Sequence, residues 1–274
     1  MSGLYCSLIW TTALCAQNAD AEDRLRFFKK QMEGFSLFRA ADATTPLPLK
    51  PAAVLHYSNP ESELSRDGFT FLWLAGARPV AAISLSIRSR PANLAYYECA
   101  SFSAQPLDCK RDGITIWAPK TGGLLAQPFV AAPAPAESES RRLTQMRNLA
   151  RRFTATRENS EGTKELRLQD SPLYRFNDKE QGILDGALFN FVVSNDPELL
   201  VLIEAAREGN GKEPRWQYSL ARMSSPHEVV RLDGKEIWSV PNYHRVPMED
   251  RKTGPYVEAP LARFVPAAEA AEKK

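Results

Sequence analysis

Of the three histidines in the 274-residue chain, His56, His227 and His244, the first has acidic company downstream in Glu61, Glu63 and Asp67. An imidazole oriented by a carboxylate can take a proton from water or a hydroxyl, which is the general-base half of a hydrolase site. His56 therefore marks where a hydrolase-type enzyme would keep its site, in the first half of the chain. No motif supports it further. The sequence has no H-E-x-x-H, C-x-x-C, G-x-S-x-G or G-x-G-x-x-G and no aspartate-rich calcium loop, so no catalytic residue, metal ligand or cofactor is assigned. Lys120-Thr121-Gly122-Gly123 and Lys252-Thr253-Gly254-Pro255 have phosphate-loop residue types without the spacing or the following helix. Arg141, Arg142, Arg147, Arg151, Arg152 and Arg157 read as a solvated helix face, offset by Glu137, Glu139 and Glu158.

Two aspartate pairs recur, Asp67 with Asp185 and Asp112 with Asp233, and two carboxylates can divide acid and base work between them. Each precedes a glycine, however, and Asp-Gly is turn chemistry, so all four are expected at turns. Asn59 and Asn177 fit Asx-turns at strand ends, and Trp117 and Trp238 fit core anchors.

The recurrence is part of an internal repeat. With a shift of 118, residues 24–79 match 142–197 at eleven positions without a gap, among them Arg24/Arg142, Phe35/Phe153, Asp67/Asp185, Gly68/Gly186 and Pro79/Pro197. Unrelated sequence of average composition gives about 3 or 4. After a slip of three, residues 97–117 match 218–238 at seven positions, from Tyr97/Tyr218 to Trp117/Trp238. Fixed-period self-similarity of this kind implies a duplicated unit.

Each copy opens with apolar residues at helical spacing: Leu25, Phe28, Met32 and Phe35, then Leu143, Met146, Leu149 and Phe153. Strands are expected around Leu47–Leu49, Val54–Ser58, Phe69–Leu74, Val80–Ile87 and Leu94–Ser103, with counterparts around Leu166–Leu168, Leu173–Phe176, Ala187–Val193, Leu199–Ala205 and Trp216–Met223. A hairpin then closes on each second Asp-Gly. The expected class is α+β: two tandem repeats, each one helix packed on a curved antiparallel sheet of five or six strands. Residues 22–130 form the first repeat, Ala/Pro-rich 131–137 a stiff linker, 138–262 the second repeat and 263–274 a flexible tail.

Residues 1–21 have an uncharged apolar run from Leu4 to Ala16 followed by small residues, the pattern of a signal peptide cleaved after Ala16 or Ala21. This points to export to the periplasm or beyond. Cys99 and Cys109 then remain, at the positions of Leu220 and Val230 in the second copy and centred on one turn. They are expected as a cross-strand disulfide. A net charge of +2 from 35 basic and 33 acidic residues gives no footprint for nucleic acid, and no run in the mature chain is long enough to span a membrane.

The stretches QMRNLARRF, SPLYRF, GALFNFVVSNDPELLVLIEA and WQYSLARMSS, preceded by APAPA, resemble a family of uncharacterised proteins predicted in planctomycete bacteria. That resemblance implies no activity. The unit is also similar in outline to cystatin-like and nuclear transport factor 2-like folds, which host unrelated functions. Together these readings lead to the expectation of a non-catalytic exported protein, a monomer behaving as a pseudo-dimer. Its partner would be an unknown protein or small ligand, held at the seam between the copies.

Overall fold

The computed structural model describes residues 22–58, 65–88, 93–160, 162–207 and 213–266. The signal segment, Asn59, Glu61, Glu63 and the tail from 267 onward lie outside them. Strands make up 55% of the described residues and helices 13%. The chain is therefore mostly β, and the helix-on-sheet α+β class expected from the sequence is wrong. Helix α1 covers residues 22–32, and β1 (Phe35–Arg39), β2 (Asp42–Pro46), β3 (Leu55–Tyr57), β4 (Ser65–Ala75), β5 (Arg78–Arg88), β6 (Leu94–Ser101), β7 (Leu107–Arg111), β8 (Ile114–Trp117) and β9 (Leu124–Pro128) follow. Helix α2 (Glu139–Ala150) is followed by β10 (Phe153–Asn159), β11 (Gly162–Leu168), β12 (Tyr174–Asp178), β13 (Ile183–Val193), β14 (Asp196–Ala206), β15 (Arg215–Arg222), β16 (His227–Leu232) and β17 (Lys235–Val240). A 3-10 turn, the short helix α3 (Met248–Arg251) and β18 (Tyr256–Arg263) complete it.

The strands that the sequence reading missed explain the error. β1 and β10 start where it placed the helix ends, and β9 and β18 lie where no strand was expected. In β10 only Phe153 and Ala155 face the core, and the rest is Thr, Arg, Glu and Asn. So few inward residues hide a strand's alternation.

Pairing follows the same plan in both halves. β1 joins β2 and β7, and β7 joins β8; β10 joins β11 and β16, and β16 joins β17. The long strands β3-β4-β5-β6 and β12-β13-β14-β15 run in antiparallel order. The last strand of each half then crosses over. β9 pairs with β15, and β18 pairs with β6, with Val257 opposite Cys99 and Leu124 opposite Leu220. Neither half completes its own sheet.

The halves differ in closure. Arg167 and Leu168 pair with Val192 and Phe191, so the second half forms one nine-stranded, nearly closed sheet. At the same place the first half has only the bridge Leu49–Trp73, and its strands fall into a four-stranded and a five-stranded sheet. Each half has its own core, around Phe28, Trp73 and Trp117 in the first and Met146, Phe189 and Val230 in the second. A third core lies between the long sheets, where Leu72, Ala82, Ala100 and Phe102 meet Leu188, Leu200, Leu202, Ala221 and Met223. The third core alternates with the other two along each long strand, so β5 and β14 are buried on both faces.

The linker is not a free spacer. Gln145 on α2 accepts from Ala136 N (2.8 Å) and donates to Ala134 O (2.8 Å), which holds the Ala/Pro segment to the helix. The tail also begins later than expected. Arg263 ends β18, and Phe264 is buried in the first core against Phe27.

Candidate functional site

His56 lies on β3 with its ring stacked on Phe69 at 4.3 Å, and its Nε2 meets Asp67 Oδ1 at 2.5 Å. Asp67 is buried, and its other oxygen accepts from Arg24 Nε on α1 at 2.5 Å. The second half repeats the arrangement: Arg142 Nε on α2 donates to Asp185 Oδ2 at 2.8 Å, and Arg175 on β12 adds two bonds of 3.0 and 2.7 Å. Each aspartate thus ties a helix to its sheet. The ungapped repeat sets His56 against Tyr174, but register corrects this. His56 opposes Phe69 and Arg175 opposes Ala187, so the histidine occupies the arginine's place. Asp67 and Asp185 are not at turns either; they sit inside β4 and β13. Their following glycines are covered by aromatic rings. A Cβ on Gly68 would come 2.3 Å from Tyr57 Cζ, and one on Gly186 2.5 Å from Phe176 Cζ.

The other recurrent residues have structural uses. Asp112 and Asp233 do form the hairpin turns, with φ of 50° and 51°. Trp117 is fully buried, and its Nε1 donates to Gly254 O at 2.9 Å. The two Lys-Thr-Gly segments lie against each other where the halves exchange strands, with Ala118 N donating to Lys252 O (2.7 Å) and Lys120 N to Thr253 O (3.1 Å). A Cβ on Gly123 there would meet Leu220 O at 2.2 Å. Of the arginines near α2, Arg141 and Arg151 are exposed as expected, and the others are partly or fully covered. Arg142 is buried, Arg151 pairs with Asp170, Arg152 with Asp233 and Arg157 with Glu198. Asn177 is an exposed residue within β12.

The seam between the halves is packed rather than open where the third core fills it. The β4–β5 tip is clamped there: Ala77 N donates to Asp178 Oδ2 (2.9 Å) and Gln181 Nε2 to Ala75 O (2.6 Å). Arg78 makes a bidentate pair with Glu204, at 2.7 and 3.0 Å, and the glutamate is completely buried. Across β6 and β18, Glu98 directly opposes Glu258. Burial pushes the Glu98 carboxyl well above its usual range, and the facing Glu258 adds to the rise. Tyr256 donates to Glu98 at 2.5 Å, while Arg88 holds Glu258.

A second polar cluster has no counterpart in the first half. Arg157 Nη1 donates to Glu198 Oε1 at 2.5 Å, and Ser224 Oγ to Glu228 Oε1 at 2.7 Å, with both glutamates buried. Burial pushes Glu228 up to about 8. Arg157 Nε and the second oxygens of both glutamates have no partner. By strand register Glu228 stands where the first half has Leu107, opposite Arg157 as Leu107 is opposite Arg39. Charge at a repeat position that is apolar in the other copy was a signal in the sequence. The Glu98–Glu258 pair gave none, because its members lie in different halves at unrelated repeat positions.

An open groove of about 430 Å³ lies in the second half, beside the carboxyl end of α2. Phe153, Leu166, Leu168 and Phe191 form its apolar floor, and Arg151, Arg167, Glu165 and Asp170 its charged rim. No family model, curated protein or solved structure matches the chain. Among the described residues no three His, Cys, Asp or Glu side chains gather as a metal site, and no helix is long and apolar enough to cross a membrane.

Proposed function

We propose that the protein is an exported, non-catalytic binding protein built from an internal duplication, and that the groove beside α2 takes a small amphipathic molecule. The supporting observation is the groove itself: an apolar floor ringed by two arginines and two carboxylates, on the half whose sheet is continuous. Pockets that bind small ligands pair an apolar body with a few placed polar groups. The recurrent aspartates Asp67, Asp185, Asp112 and Asp233 are engaged in ion pairs and turns. Asp67 orients His56 and is also bonded to Arg24, and with that second bond it ties α1 to its sheet as Asp185 ties α2 through Arg142.

Titration with 8-anilinonaphthalene-1-sulfonate, an aromatic anion with an apolar body, tests the site. Its fluorescence rises on binding to the wild type, and Leu168→Glu abolishes the rise by placing a charge on the partly buried floor. Equal enhancement by both proteins, or none by the wild type, overturns the groove as the binding site.

A further inference from the structure

Cys99 and Cys109 are free, completely buried and members of the same first core, and beside burial the nearby Cys109 thiol helps to push the Cys99 thiol up. They are not neighbours across one ladder, as their spacing around a turn suggests. Cys99 on β6 lies between Ile83 and Val257 in the five-stranded sheet, and Cys109 on β7 between Leu37 and Trp117 in the four-stranded one. The connection from β6 to β7 crosses from one sheet to the other. The two therefore face one core from the two sheets that, among the described residues, the first half joins by the bridge Leu49–Trp73. In the second half, register places Leu220 and Val230 at the same positions, and the two-residue pairing of β11 with β13 already joins the sheets.

We propose that Cys99 and Cys109 form a disulfide that staples the two sheets of the first half. The two thiols give up two protons and two electrons and gain one S–S bond. A small disulfide such as oxidised glutathione takes the electrons and is released as two thiols, through a mixed disulfide on one cysteine. The reaction occurs as the chain folds, before the core closes over thiols that are fully buried afterwards. A bond closed across two sheets limits the unfolded chain and resists their separation. The inference concerns the first core alone and is independent of the groove in the second half.

Refolding the full chain in a glutathione redox buffer, then alkylating it under denaturing conditions, tests this. Both cysteines fall in one tryptic peptide, residues 89–110, because Arg90 is followed by Pro91. The expected peptide is unalkylated, lighter than its reduced form by two hydrogens, and becomes doubly alkylated after reduction. Its unfolding midpoint falls when reductant is added. The double variant Cys99→Leu/Cys109→Val, which imports the second half's residues, loses that response to reductant while keeping the fold. A doubly alkylated peptide, a glutathione adduct, or a bond to Cys6 or Cys15 overturns the proposal. If the variant fails to fold, the wild-type peptide still decides.

Discussion

In the first half a four-stranded and a five-stranded sheet meet through one bridge, Leu49 to Trp73; in the second the same strands run on into a nine-stranded sheet. The core of the split half holds two cysteines where the continuous half holds Leu220 and Val230. The continuous half in turn holds two buried glutamates where the split half has Val80 and Leu107. Backbone pairing that closes a sheet frees interior positions from the task of holding it shut. Polar groups can then be accommodated inside, at the expense of partly unsatisfied atoms such as Glu228 Oε2. The halves therefore share a plan and differ in which positions carry cohesion.

The seam offers the largest test of that comparison. Arg78→Met leaves the completely buried Glu204 without its bidentate partner, at a cost of about 3–5 kcal/mol in chemical denaturation. Register sets Asp196 at the place of Arg78 and Ser86 at that of Glu204, so the ion pair has no mate. The loss should fall on both halves in one cooperative transition, because each completes its sheet with the other's last strand. Two separated transitions would show that the exchange of β9 and β18 does not couple them.

The helix anchors come next. Asp185→Asn strands Arg142, which is nearly as buried as the aspartate, and should cost about 2–4 kcal/mol. Asp67→Asn affects Arg24 and a His56 that is half exposed, and should cost clearly less, about 1–2 kcal/mol. Equal losses would mean that replacing arginine by histidine at the second partner left the anchor unchanged. Of the same order as the Asp67 loss are Gly68→Ala and Gly186→Ala, each of which displaces the ring lying on it and should cost about 1–2 kcal/mol. Since the covering ring is tyrosine in one half and phenylalanine in the other, the two variants should differ. Tyr57 loses its 2.7 Å bond to Ser84 as it moves, and Phe176 has none to lose.

How much of this was legible in the sequence depends on where each residue's partner lies. Asp112-Gly113 and Asp233-Gly234 act within two residues, and their hairpins were readable. Phe69–Leu74 and Leu199–Ala205 are apolar runs broken only by Thr70 and Glu204, and they are strands. Asp67 and Asp185 look identical to the turn aspartates locally, yet they lie mid-strand, because their partners are arginines 43 residues away on the helices. β9 and β18 carry no strong pattern of their own; they are strands because the other half presents an open edge, which no local window contains. The same holds for the site: the groove's floor comes from β10, β11 and β13, and only the nine-stranded closure brings them together.

Glu228 gives the last and smallest contrast between the halves. In the unfolded chain its carboxyl is ionised above about pH 4.5, whereas burial in the folded protein holds its proton up to about pH 8. The folded state thus binds one more proton between those values, and stability falls as pH rises through them. Arg222, Arg157 and the hydrogen bond from Ser224 oppose the rise, and Glu198 reinforces it, so the second core has a built-in sensitivity to base. Between pH 7 and 8.5 the wild type should lose about 1 kcal/mol of stability from this group, measured by urea denaturation at the two values. Glu228→Gln should flatten that dependence, because the amide keeps the shape and never ionises. Glu228→Leu, which imports the residue of the split half, should flatten it too and also release Ser224 from its acceptor. If the slope survives in Glu228→Gln, the sensitivity belongs to another raised carboxyl, Glu198 in the same cluster or Glu98 opposite the exchanged strand.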